Sequence, residues 1–344
     1  MLTAQITLDA ALRDIDSEKE RYRFQAAANL APALLEQLGK PGPRWRATTE
    51  HARGPAVREA LLGVLHEDEP APLRGTAAVG LGTLGEPAVL DATEAWLEST
   101  DDDEASAYLR ESALLASTYL GRAALEAGAA LEAHEVIQRV RDRVERALRA
   151  EAAELRFQAA TALVELGDAE AEPVLVDALR RETHPDVRQG LVDALAYLDP
   201  PGDAACEVLE ALVAGPDGHE SIGFDAAVTL AAARRPSARP RLLQSLAVRH
   251  QRDRALEALA ALGGGTPAEV EPVHRLARQV WLPAITRVRA AYALARMVPP
   301  GSGDNPGLTM LRRLRWHPRP AVREAVRDAF ANLETLGPPP SADG

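Results

Sequence analysis

Arginines, aromatic rings, histidines and acids are the residues of this chain able to do chemistry, and their spacing decides what each can do. Arginine recurs, in most cases behind an apolar residue, at the head of apolar-periodic segments, at Arg23, Arg74, Arg110, Arg156, Arg188, Arg252, Arg287 and Arg323; Gly223 takes the place once. A guanidinium is a planar fork suited to carboxylate or phosphate, so such a column invites an anion-binding reading. On a helical wheel, however, the position lies only at the border of the apolar stripe.

The aromatics follow the same register. Phe24, Phe157 and Phe224 each stand one residue after the anchor, Tyr292 five after, and Tyr119 and Tyr197 nine after. Positions four apart share one helix stripe. The stripe reads either as a row of partner-binding anchors or as wedges between neighbouring helices.

Charge divides the chain. Residues 1–233 hold 21 basic and 42 acidic residues, whereas 234–344 hold 18 arginines and 9 acids, within a net charge of −12. Arginine clusters fall at 234–241, 249–254 and 312–320, the last containing Arg312, Arg313 and Arg315. Such asymmetry points to an anionic partner or to oriented association, self-association included.

Signals of catalysis or metal binding are weak. GLGTLG (80–85) matches GxGxxG, but it ends an apolar-periodic segment instead of joining a strand to a helix. His66, His184, His219 and His317 fall in turns a repeat apart, and no HExxH occurs. The acidic run 101–104 lacks the glycine and ligand spacing of a calcium loop and reads as a helix start, where acids suit the positive end of the dipole. The single cysteine, Cys206, excludes an intrachain disulfide and a cysteine zinc site. No catalytic residue, metal ligand or cofactor is assigned, and the chain is read as non-enzymatic.

The elements carrying these residues are legible from periodicity. Aromatics are 4% of the chain, and the apolar content is largely Ala and Leu, both strong helix formers. From each anchor, apolar residues fall at −1, +3, +6, +7 and +10, one face of a helix. These second ("B") helices are expected to start near residues 18, 71, 104, 152, 185, 219, 250, 283 and 320. A further periodic segment ("A") precedes most of them, as at 87–98, 172–181, 204–214 and 268–280. The turn between is polar and often holds Pro, which suits a first helical turn. The pattern is helix A, turn, helix B, repeated.

Segments such as HPDVRQGLVDALAYL (184–198) and RPAVREAVRDAFANL (319–333), with the arginine column, resemble the HEAT-repeat superfamily, and most closely its bacterial branch of phycobilisome-lyase-like repeats. The resemblance implies an all-α, right-handed α-solenoid of about nine two-helix repeats over residues 1–336, read as one domain. It implies that the arginine is a structural ladder between repeats and that the B helices line the concave face. Irregular insertions are expected at 31–54 and 121–149, and a disordered tail at 337–344. Charges interrupt every apolar stretch short of a membrane span, and the N-terminus has no basic leader region. Together these suggest a cytoplasmic protein, and the paucity of lysine suggests a bacterial one.

The function that follows is a protein-interaction scaffold or adaptor, binding another protein along the B helices and an acidic one at the C-terminal third. Partner contacts are assigned to Phe24, Phe157, Phe224, Tyr292, Tyr197, Arg312, Arg313 and Arg315. The alternatives are nucleic-acid binding by the basic C-terminal third and, by resemblance alone, a chromophore-lyase-like activity.

Overall fold

The computed structural model describes residues 6–39, 42–66, 68–128, 131–166, 171–198, 200–216, 221–298 and 305–335. Among them there are eighteen α-helices and no strand. They run in chain order as nine pairs: α1 (Leu8–Asp14) with α2 (Glu20–Gln37), α3 (Gly54–Gly63) with α4 (Ala71–Thr83), α5 (Ala88–Glu98) with α6 (Glu104–Ala127), α7 (Leu131–Ala147) with α8 (Ala153–Leu166), α9 (Ala171–Arg181) with α10 (Pro185–Ala196), α11 (Asp203–Ala214) with α12 (Ser221–Ala232), α13 (Arg239–Ser245) with α14 (Arg252–Leu262), α15 (Pro267–Arg278) with α16 (Ala284–Met297), and α17 (Pro306–Leu314) with α18 (Pro320–Thr335). Every B helix begins within two residues of its expected start.

The chain clusters into two compact units, Met1–Ala194 and Leu195–Gly344. In the first, B helices α2, α4, α6 and α8 stack in succession; in the second, α12, α14, α16 and α18 do the same. A helices form a second row, with α13 on α15 and α15 on α17. The cause is visible in α8. Leu155, Ala159, Ala162, Leu163 and Leu166 are all buried, the face that the apolar period specified. No pair encloses a core alone, so each buries its apolar face against its neighbours.

Small residues set how closely the helices approach. A Cβ on Gly82 of α4 would lie 2.2 Å from the Ala116 carbonyl oxygen of α6. A Cβ on Gly307 of α17 would lie 2.3 Å from the Ala295 nitrogen of α16. These approaches explain GLGTLG as packing. Gly82 admits a neighbouring backbone, and Gly85 takes a left-handed φ of +66° to end α4, within 2.4 Å of the Arg44 carbonyl oxygen had it a Cβ.

The two expected insertions are more ordered than the sequence suggests. Residues 31–37 continue α2 through Pro32. Beyond them the Arg44, Arg46 and Ala47 N–H groups donate to the carbonyls of Thr83, Gly85 and Leu84 at 2.9, 3.3 and 3.0 Å. The insertion thus satisfies the end of α4, where a helix leaves its last carbonyls unpaired. The second insertion, expected at 121–149, holds two helical stretches among its described residues. They are the extra turns of α6 followed by α7, the A helix of the fourth pair. Residues 337–344, expected to be a disordered tail, lie outside the described residues, as does His219.

Candidate partner-binding surfaces

The arginine column is used by the fold. In five of its eight members the guanidinium reaches back to the carbonyls of the A–B turn. Arg110 donates to Ser99 O (3.1 Å) and Asp101 O (2.7 Å). Arg156 donates to Ala150 O (2.9 Å) and Glu151 O (2.6 Å). Arg323 donates to His317 O (3.0 Å) and Pro318 O (2.8 Å). Arg252 reaches Leu246 O at 2.8 Å and Arg23 reaches Ile15 O at 3.3 Å. Arg74 instead lies 5.0 Å from the ring centre of Trp96, which is buried. An arginine near the start of helix B therefore closes the end of helix A.

Two column members also tie one pair to the next. Arg23 pairs with Glu69, just ahead of α4. Arg156 binds both carboxylate oxygens of Glu182, at 2.6 and 3.0 Å, and Glu182 also accepts from the Thr183 and His184 N–H groups at 2.9 and 2.8 Å. The Arg156 hydrogen bond, with those two N–H groups, lowers the Glu182 pKa from 4.5 to about 2 against the cost of its burial. Deeper still, Arg143 of α7 is 2% exposed. It donates to Glu94 (2.9 Å), Thr93 (3.1 Å) and Ser117 (3.0 Å), joining α5, α6 and α7; burial lowers its pKa despite the Glu94 carboxylate.

The aromatic stripe divides. Phe24 and Phe157 keep 42% and 40% of their surface exposed, and Tyr197 keeps 76%. Phe224 is 2% exposed, with the guanidinium carbons of Arg241 and Arg254 5.9 and 5.2 Å from its ring centre. Its assignment to a partner surface is corrected: residues from α13 and α14 occupy its faces. Tyr292 is half-buried against the cluster of Val288, Leu311 and Val326, and burial raises its hydroxyl pKa. It too belongs mainly to packing. Arg312, Arg313 and Arg315 are exposed, with Arg315 4.7 Å from the ring centre of Trp316.

Phe157 forms one wall of a recess of about 250 Å³ between the beginnings of α8 and α10 and the second turn of α6. Glu111 of α6, Glu154 of α8 and Asp186 of α10 line it with Gln158 and His184. One edge of the Phe157 ring packs on α10, where a Cβ on Gly190 would meet it at 2.6 Å. The ring therefore serves both readings, wedge on one edge and open surface on the other.

The remaining polar candidates are structural. Asp103 caps α6, accepting from the Ser106 N–H at 3.0 Å and its hydroxyl at 2.8 Å; these bonds lower its pKa. His317 Nδ1 accepts from the Arg319 N–H at 3.2 Å. Among the described residues no group of three His, Cys, Asp or Glu side chains is placed to hold a metal, and no helix is long and apolar enough to cross a membrane. Sequence reasoning missed the exposure of Val280, Trp281 and Trp316, at 74%, 77% and 75%. The two tryptophans carried a signal, an indole next to Pro-bearing turn residues, whereas Val280 closes the periodic segment 268–280 and carried none.

Comparison with known proteins agrees on the fold. Residues 140–220 match the family model for HEAT repeats. Among curated proteins none matches the chain by sequence. Of solved structures, YibA of E. coli is similar at 14% identity and a TM-score of 0.57, covering 85% of this chain and 92% of that one. Kap121p bound to Nup53p is similar at 14% identity and a TM-score of 0.57, over 95% of this chain and 37% of that one. Kap95p, whose binding alters the switch loops of RanGDP, is similar at 15% identity and a TM-score of 0.57, over 95% and 44%. This chain thus spans well under half the length of the two larger proteins. Residues 140–220 are thus similar to HEAT repeats, and the chain has an all-α solenoid fold similar to that of these structures.

Proposed function

We propose that this protein is a non-enzymatic interaction scaffold that holds a protein partner against its B helices. The observation that carries this reading is the Phe157 recess. A half-exposed ring lies among three successive B helices, beside carboxylates of Glu111, Glu154 and Asp186 that make no ion pair among the described residues. Large rings left in water beside polar rims are typical anchors of protein interfaces. Phe24 offers a second anchor in the same unit. The superfamily fold supports the reading, because stacked repeats present extended surfaces. Kap121p, of similar fold, is seen bound to Nup53p.

Affinity capture from the source organism tests it. Wild type and Phe157→Ser are compared, with bound proteins identified by mass spectrometry. The expected result is a protein retained by wild type and depleted by the variant. Identical recovery by both, or recovery of nucleic acid alone, contradicts the reading. Nucleic-acid binding by the C-terminal third remains the second reading, on the exposed Arg312, Arg313 and Arg315.

A further inference from the structure

The unit Leu195–Gly344 carries arginines and tryptophans that its fold does not use, and they gather on one edge. Successive A helices run in the same direction, because one returning B helix separates each from the next. With α13 packed on α15 and α15 on α17, the turns after these helices follow one another. That edge presents Arg278 and Trp281 after α15, and Arg312, Arg315, Trp316 and Arg319 around the end of α17. All six are exposed, and the two indoles keep 77% and 75% of their surface open to solvent.

Several arginines elsewhere in the unit are paired. Arg289 meets Asp253 and Glu257 at 2.5 and 2.8 Å, Arg254 meets Asp225 at 2.7 Å, and Arg239 meets Glu269 at 3.2 Å. None of the four edge arginines has a carboxylate partner among the described residues. Between Glu271 and Glu324 the sequence holds ten arginines and one acid, Asp304. A cation near a helix C-terminus complements the dipole, which accounts in part for Arg278 and Arg312. It does not account for Arg319, which lies past the helix, or for Arg315 stacked on an exposed indole at 4.7 Å.

We propose that this edge docks an extended, acidic segment of another protein. Guanidinium forks pair with carboxylates, and the indoles take apolar side chains between them. The spacing suits such a segment. Neighbouring helices lie ~8–10 Å apart, and a segment in the polyproline II form turns once every three residues while rising ~3.1 Å per residue, so every third side chain meets the next turn. A long nucleic-acid polyanion is disfavoured by the protein's net charge of −12, which opposes it at range. The edge is separate from the B-helix recess, and its proposal does not rest on that reading.

Fluorescence anisotropy with the full chain at about 0.15 M salt tests it. The probe is a fluorescein-labelled peptide of about twelve residues, Leu at every third position and Glu elsewhere; a labelled oligothymidylate of equal length is the comparison. Saturable peptide binding is expected, with the oligothymidylate at least ~10-fold weaker. Trp281→Ala with Trp316→Ala, and Arg312→Gln with Arg315→Gln and Arg319→Gln, should each weaken the peptide by ~10-fold or more at unchanged helicity. Phe157→Ser should leave it unaffected. No saturation at millimolar protein, equal affinity in the variants, or oligothymidylate binding as tight as the peptide overturns the proposal. So does a wild-type dimer in light scattering that the arginine variant dissolves, since the occupant would then be a second copy.

Discussion

Arg156 and Glu182 join one repeat to the next through two contacts of 2.6 and 3.0 Å, while each caps a different piece of backbone. Arg156 closes the turn before α8, and Glu182 receives the N–H groups leading into α10. The Glu182 pKa, about 2 against an ordinary 4.5, makes this a stability statement. The folded value is depressed, so the unfolded chain binds the proton more readily. The stabilisation is full above about pH 5 and is lost as pH falls towards 2, amounting to roughly 3 kcal/mol at most. Chemical denaturation across that range should show a steeper loss in wild type than in Glu182→Gln.

Removing one partner should cost more than the pair itself contributes. Arg156→Gln leaves Glu182 almost buried without its cation and leaves the Ala150 and Glu151 carbonyls with fewer donors. A loss of about 2–4 kcal/mol is expected at pH 7. Thermal and urea melts check it; a loss under about 0.5 kcal/mol would show the pair to be ornamental.

The two glycines Gly82 and Gly63 should respond oppositely to alanine. A Cβ at Gly82 runs into the Ala116 backbone, whereas at Gly63 it meets nothing within 4 Å. Gly82→Ala should destabilise by about 1–3 kcal/mol as α4 and α6 are pushed apart. Gly63→Ala should stabilise by about 0.5–1 kcal/mol through helix propensity. The pair of melts tests whether B helices touch as described.

Phe157 and Phe224 share a register position and should separate by function. Phe224→Ala removes a buried ring and should cost about 3–5 kcal/mol. Phe157→Ser should leave the melting temperature within a few degrees of wild type. Equal losses would return both rings to packing.

The helices and their register were legible in the sequence because Ala and Leu recur with a helical period that one buried face obeys, as in Leu155, Ala159 and Leu163. The structural use of the arginine column was legible from the superfamily likeness. The fate of Phe224 was not. Its burial depends on Arg241 and Arg254, which come from two other helices and have no fixed spacing to it. The role of residues 44–47 was hidden for the same reason, because they pair with the end of α4 across nearly forty residues of chain. Exposure of Trp281 and Trp316 was not legible from the helical period, because it marks which face a helix buries and does not state what the residues beyond it leave uncovered.

A scaffold of this kind holds its protein partner against the B helices. Hydrogen–deuterium exchange of the chain, alone and with the protein that wild type captures and Phe157→Ser does not, tests this most directly. Slowed exchange is expected around Glu111 of α6 and at the first turns of α8 and α10, which line the Phe157 recess. Protection confined to the A helices, or no protection anywhere at saturating partner, would contradict it.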